Sequence, residues 1–251
     1  MVLIKCYNHI YCAFIQIYDN FLSSFSKNIQ NIQFTRLQII ILGKRKVSCE
    51  KKREMLKVGI TGGIGSGKTT VCKIFEMLNI PIYYADDRAK WLMQHDPDLK
   101  KNITEMLGKG AYFPDGKLNR GFIGELVFND KKLLTQLNKL VHPAVFLDGE
   151  KWFKNQKDTY AIKEAALFYE TGSYSQMDQM IVVTADREER IRRVMQRDGL
   201  ERKAVEVRMD KQLPEEEKIE KADFVIYNNN RELLIPKVLE VDKRLKVLAT
   251  L

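Results

Sequence analysis

The feature that most constrains this chain is a string of eight residues. Leu56 to Thr61 is a short apolar run of strand length, and Gly62-Gly63-Ile64-Gly65-Ser66-Gly67-Lys68-Thr69 follows at once, satisfying G-x-x-x-x-G-K-[ST] in full. From Thr69 to Asn79 the apolar residues Val71, Ile74, Phe75 and Leu78 recur at helical spacing. Strand, glycine-rich turn and helix in that order make an anion cradle. The glycines let the backbone wrap phosphate oxygens, and the helix N-terminus offers unpaired N–H groups. A lysine at the end of the turn reaches the β and γ phosphates, and the next hydroxyl can ligate Mg²⁺. A glycine turn with no ligand has no use for the Lys-Thr pair. The chain is expected to bind ATP, with Gly63, Gly65, Ser66, Gly67, Lys68, Thr69 and Thr70 as candidate ligands and Thr69 holding Mg²⁺.

Four further strands are expected at Ile80 to Tyr84, Thr159 to Ile162, Met180 to Thr184 and Phe224 to Tyr227, separated by polar or helical stretches. Five strands alternating with helices imply an α/β fold, a five-stranded parallel sheet flanked by helices, with ligands at the strands' carboxyl ends. The stretch 88–158 between the second and third strands is rich in helix formers and too long for a single crossover, so a helical insertion is expected there. Beside a phosphate loop such an insertion holds the second substrate. The core would then be 55–87 with 159–251.

Composition matters mainly for the first fifth of the chain. Of the formal net charge of +9, residues 1–54 supply +6, from nine Lys and Arg against three acids. The basic excess is therefore local, and a nucleic-acid partner is not expected. Three of the four cysteines (Cys6, Cys12, Cys49) also lie there without metal-ligand or disulfide spacing, which points to a reducing, cytoplasmic setting. Asn8, His9 and Gln16 interrupt the one apolar stretch, which makes a poor signal sequence. No run of about 18 uncharged apolar residues exists, so no membrane-spanning helix is expected. The pattern changes sharply after Lys51-Lys52-Arg53-Glu54, and the expectation is that 1–54 is an extension upstream of a natural start at Met55.

Neither N-K-x-D nor D-x-x-G occurs, which disfavours a regulatory GTPase. The sequence offers instead Asp86 at the end of the second strand and a basic helix at 187–197 carrying Arg187, Arg190, Arg192, Arg193 and Arg197. Arginines after the fourth strand suit a lid that neutralises the charge of phosphoryl transfer. The same spacing suits a solvated helix face, and composition alone favours that reading, because basic runs at helical spacing are common.

At this point the chain resembles the dephospho-CoA kinases from Met55 to about Leu251. The likeness is carried by T-G-G-I-G-S-G-K at 61–68, A-D at 85–86, G-K-L-N-R at 116–120 and H-P at 142–143. It continues through L-F-Y-E at 167–170, M-Q-R-D at 195–198, Gln212 and A-D-F-V-I-Y-N-N at 222–229. The resemblance implies ATP-dependent phosphorylation of the ribose 3′-hydroxyl of dephospho-CoA, with 88–158 holding the acceptor and 186–221 forming the lid. It implies Asp86 as the acid that accepts or orients the hydroxyl proton, Arg193 near the transferring phosphate and Arg197 beside it. Arg120 and His142 would face the acceptor, although His142 before Pro143 could instead fix a helix bend and Arg120 could pair with Asp115 or Glu125. Two departures stand out: Tyr84 opens the usual Asp-Ala-Asp, and Glu164 stands where Asp is usual, which alters how a metal's water shell would be held there. Another small-molecule P-loop kinase and a non-catalytic ATP-binding module are the alternatives. A monomer or weak homo-oligomer is expected.

Overall fold

The computed structural model describes residues 55–230 and 232–250, and the expectations for 1–54 lie outside these. Strand β1 (Leu56–Thr61) is followed by helix α1 (Lys68–Met77) and strand β2 (Ile82–Tyr84). Four helices come next: α2 (Ala85–His95), α3 (Pro97–Leu107), α4 (Arg120–Asn129) and α5 (Lys131–Lys154). Strands β3 (Tyr160–Glu164) and β4 (Gln179–Thr184) lead to helices α6 (Arg187–Asp198), α7 (Arg202–Met209) and α8 (Glu215–Glu220). Strand β5 (Phe224–Tyr227) and helix α9 (Leu234–Leu248) complete the described chain.

The strands form one all-parallel sheet in the order β2-β3-β1-β4-β5. β1 lies between β3 and β4, and chain crossovers leave it on opposite sides, so the crevice at its carboxyl end is where such sheets bind ligands. The expected second strand starts late: Pro81 has no N–H to give the ladder, so pairing begins at Ile82, while the Pro81 carbonyl still accepts from Ile162 at 2.9 Å. β3 runs two residues beyond its expected end, to Glu164, paired with Ile60 and Tyr84.

Two cores follow from the apolar spacing. On one side of the sheet Val58, Ile60, Tyr160, Ile162, Ile181 and Val183 pack against Val71, Phe75, Val238 and Leu245 of α1 and α9. Burying a side chain such as Phe75 contributes about 1.5–3 kcal/mol. Helix α1 ends because Asn79 turns left-handed (φ 60), with the Ile80 N–H bonded to Phe75 O at 3.1 Å and the Asn79 N–H to Glu76 O at 2.9 Å. The second core gathers Leu92, Leu99, Ile103, Leu107, Ile123, Leu137, Val141 and Val145 of the insertion around Tyr83 and Ala85, so the helical insertion is rooted in the sheet edge.

Caps set the insertion's helix boundaries. Asp96 accepts from the Leu99 N–H at 2.9 Å with Pro97 in the first turn, Asn119 accepts from Phe122 at 3.2 Å, and Asp130 accepts from Lys132 at 2.8 Å. α5 continues through Pro143 for 24 residues. The insertion's first helix starts at Ala85, three residues before the expected boundary at 88.

Candidate active site

The crevice is built from strand ends. β1 delivers the phosphate loop, β2 runs without any connecting residue into α2 and so presents Asp86 and Asp87 in that helix's first turn, and β3 ends on Glu164. Carboxylates in a first helical turn sit favourably against the partial positive charge there. Asp86 is exposed, as are the Thr69 and Thr70 hydroxyl-bearing residues in the first turn of α1.

Within the loop, the Ser66 N–H bonds Gly63 O at 3.1 Å. Gly65 and Gly67 hold left-handed conformations (φ 79 and 91), which an L side chain rarely adopts. A Cβ on Gly65 would also meet the Arg190 carbonyl oxygen at 2.5 Å, and one on Gly67 would collide with the Asn228 side chain. The Lys68 ammonium donates to Gly62 O at 2.8 Å, folding back across the loop it closes.

Charges at the strand ends bear on one another. Burial holds the Lys68 pKa below the usual lysine value, opposed first by the Glu164 carboxylate and then by Asp86. Burial likewise pushes Glu164 above the usual carboxylate value; Lys68 opposes this, while Asp86 and Asp87 add to it. Lys68, Asp86 and Glu164 therefore form one electrostatic unit. The Asp86 and Glu164 carboxylates, with an exposed threonine hydroxyl on α1, are hard oxygen donors of the kind Mg²⁺ accepts. They are too few to cage it alone, and among the described residues no cluster of three or more His, Cys, Asp or Glu could hold a metal ion. Mg²⁺ sites that rely mainly on substrate phosphates and water look like this.

The segment 186–221 grips the loop from its carbonyl side. Arg190, 6% exposed, donates from Nε to Ile64 O at 3.0 Å and from Nη1 to Glu215 Oε2 at 2.8 Å. Arg193 donates to Gly65 O and Ser66 O at 3.4 Å each, to Asn228 O at 2.8 Å and to Asn230 Oδ1 at 3.0 Å, and pairs with Glu189 at 2.8 Å. Gln212 accepts the Ile64 N–H at 2.9 Å, and Asn228 donates to Ser66 O at 2.9 Å. The basic helix is thus no plain solvated face: Arg190 and Arg193, three apart on α6, both turn inward.

Other expected site residues lie elsewhere. Arg197 is exposed and bidentate to Asp198, at 2.7 and 3.1 Å. Arg120 opens α4 and His142 lies on α5, both exposed on the insertion, and Asp115 is taken by Lys117 at 2.9 Å. The sequence names Arg190 only as one of the lid's arginines and Asn228 only within the 222–229 string, and it predicts a bond to the loop for neither. Arg190 had the signal, since it sits one helical turn before Arg193. Asn228 had its place after a strand and in the 222–229 string.

An NTP-type phosphate loop, acids at the ends of β2 and β3, a helical insertion and an arginine segment clamped to the loop make this chain a phosphotransferase of the P-loop kinase class. The dephospho-CoA kinase family model matches residues 56–233. A dephospho-CoA kinase of Bacteroides fragilis is 34% identical over 188 residues, covering 74% of this chain and 91% of that protein. One from Salinibacter ruber is 40% identical over 178 residues, 70% of this chain and 89% of that protein. Among solved structures, the protein TT1252 from Thermus thermophilus superposes with TM-score 0.67 at 31% identity, over 79% of this chain and 98% of its own. The dephospho-CoA kinase of Campylobacter jejuni gives TM-score 0.58 at 28% identity, over 76% and 97%. The chain belongs to the dephospho-CoA kinase family and is an enzyme of that kind.

Proposed function

We propose that this chain transfers the γ-phosphoryl group of ATP to the ribose 3′-hydroxyl of dephospho-CoA, giving CoA and ADP, and that Asp86 serves the acceptor hydroxyl. The observation that carries the residue assignment is the convergence of Lys68, Asp86 and Glu164 at neighbouring strand ends. The new bond forms between the 3′-oxygen and the γ-phosphorus, the bond to the β–γ bridging oxygen breaks, and the hydroxyl proton passes to the Asp86 carboxylate. Because such transfer is largely a matter of alignment and charge, Asp86 acts by orienting the hydroxyl as well as by taking its proton.

Lys68 neutralises the β and γ phosphate oxygens, and the N–H groups of the loop and the start of α1 receive the rest. Arg190 and Arg193, bonded to loop carbonyls and paired with Glu215 and Glu189, position the loop's backbone from the side away from the nucleotide; Arg197, one turn further along α6, would have to leave Asp198 to reach a phosphate. Thr69, together with Asp86 and Glu164, would hold Mg²⁺, which would supply positive charge to offset that of the phosphate oxygens. Arg120 and His142 supply the insertion's polar contacts to the acceptor. A cytoplasmic location is supported by the buried, unpaired Cys72, and no described helix is long and apolar enough to cross a membrane.

The test is ADP release with dephospho-CoA as acceptor, followed by locating the new phosphate on the product. Turnover with phosphate at the 3′ position is the expected result. Equal turnover with a nucleoside or nucleotide acceptor, and none with dephospho-CoA, would refute it.

A further inference from the structure

Lys218 lies on α8 with its side chain entirely buried. Among the described residues its one ion-pair partner is Glu170 Oε1 at 3.1 Å, an oxygen that also accepts the Leu213 N–H at 3.0 Å. The ammonium makes no well-formed hydrogen bond, although it carries three donors. A buried cation held by one shared oxygen is a poor structural device, because a well-packed apolar residue would serve the fold as well or better.

Its surroundings point to a ligand. One turn earlier on the same helix face, Glu215 pairs with Arg190, and Glu215 Oε2 comes within 2.7 Å of where a Cβ on Gly63 would stand. The face of α8 that carries Lys218 therefore adjoins the phosphate loop. Among the described residues three buried side-chain atoms have no hydrogen-bond partner: Ser66 Oγ, Glu215 Oε1 and Lys218 Nζ. Buried polar groups are nearly always satisfied; Ser66 belongs to the loop, Glu215 stands beside Gly63, and Lys218 follows one turn after Glu215, so the three exceptions call for a common explanation. Lys218 is also close enough to Lys68 to depress that residue's proton affinity. Two ammonium groups set near one another are repelled unless an anion lies between them, and a polyphosphate supplies several oxygens for that place.

We propose that Lys218 is a second phosphate-binding ammonium of the kinase site, carried by α8 and rested on Glu170, which pairs with a polyphosphate oxygen of the nucleotide. The inference rests on the kinase reading of this site and adds to it a residue from the segment between β4 and β5. Binding requires Lys218 to exchange or share its contact with Glu170, so nucleotide and Glu170 compete for one cation.

The experiment uses the full chain with Lys218→Met, Glu170→Gln and the double variant Lys218→Met/Glu170→Gln. It reads melting temperature, ADP release with dephospho-CoA, and the rise in melting temperature given by a fixed ATP concentration. Lys218→Met leaves Glu170, whose side chain is only 20% exposed, without its partner, so it melts lower; the double variant, with no orphaned charge, regains most of that loss. If Lys218 binds phosphate, kcat in both Lys218 variants falls about 100-fold, and the ATP-induced rise shrinks in both, while Glu170→Gln stays within threefold of the parent. Recovery of turnover to within threefold in the double variant would overturn the proposal, because Lys218 would then only neutralise Glu170. An unchanged ATP-induced rise in the double variant would overturn it too. The ATP measurement needs no acceptor: a parent chain that binds ATP but does not use dephospho-CoA would refute the acceptor assignment while the Lys218 comparison still stands or falls on its own.

Discussion

Replacing Arg190 by Met tests whether the segment between β4 and β5 is fastened to the phosphate loop or merely lies beside it. The Arg190 side chain is 7% exposed and that of Glu215 14%, with 2.8 Å between them. Removing the guanidinium deletes this contact and the 3.0 Å bond to Ile64 O, and it strands a carboxylate whose other oxygen already has no partner. Breaking a buried pair by removing one member costs about 3–5 kcal/mol. At roughly 2–4 °C per kcal/mol for a domain of this size, the melting temperature should fall by about 6–20 °C. Arg202 on α7, 51% exposed and paired with the 71% exposed Glu188, provides the contrast. Exposed pairs contribute about 0–1 kcal/mol, so Arg202→Met should melt near the parent. Arg190→Met/Glu215→Gln should recover much of the lost stability. Because the Ile64 carbonyl loses its donor, KM for ATP should remain raised in both Arg190 variants. Calorimetric melting with ATP kinetics checks all of these. An Arg190→Met chain that melts within 2 °C of the parent with an unaltered KM would refute the reasoning.

Asp86→Asn keeps the shape and removes the charge, so kcat should fall by about 10²–10⁴ with little change in melting temperature; near-parental kcat would remove Asp86 from the chemistry. Thr69→Ala deletes a single oxygen ligand and should raise the Mg²⁺ concentration needed for half-maximal rate, an effect read by metal titration and disproved by superimposable curves. Glu164 has its pKa raised by burial, so its favourable contribution to stability is complete below the unfolded value of 4.5 and is lost as pH rises through the folded value. Glu164→Gln should therefore gain melting temperature relative to the parent from about pH 5 upward, with the difference shrinking in more acid buffer; a pH-independent difference would count against it.

The phosphate loop was legible because its chemistry is local: glycines, lysine and threonine must be consecutive for one backbone turn to do its work. The strand alternation was legible for a similar reason, since buried parallel strands are short apolar runs. Boundaries were less so. Ile80 looks like strand but caps α1 through its N–H, and Pro81 withholds a donor, facts about hydrogen bonding that apolar spacing does not carry. Asp86 stood out through its place after a strand and through the family's pattern, whereas Lys218 read as one charge in the run Glu215-Glu216-Glu217-Lys218. Its burial depends on Glu170, 48 residues earlier, and pairings across such distances leave no local trace. Arg193 was expected at a phosphate and is found on the loop's carbonyls, a distinction of direction that residue type cannot express.

The direct passage of β2 into α2 gives one junction in this molecule a fixed length. A residue inserted between Tyr84 and Asp86 would swing the acid about 100° around the helix axis and advance it about 1.5 Å, and every later residue of α2 would turn with it. Connections such as 199–201, between α6 and α7, carry no such phase and can lengthen without moving a side chain into or out of the crevice. Variation in chain length among relatives should therefore be common at 199–201 and absent at 84–86, and aligning this chain with any of them can be anchored on that junction as firmly as on the glycine string.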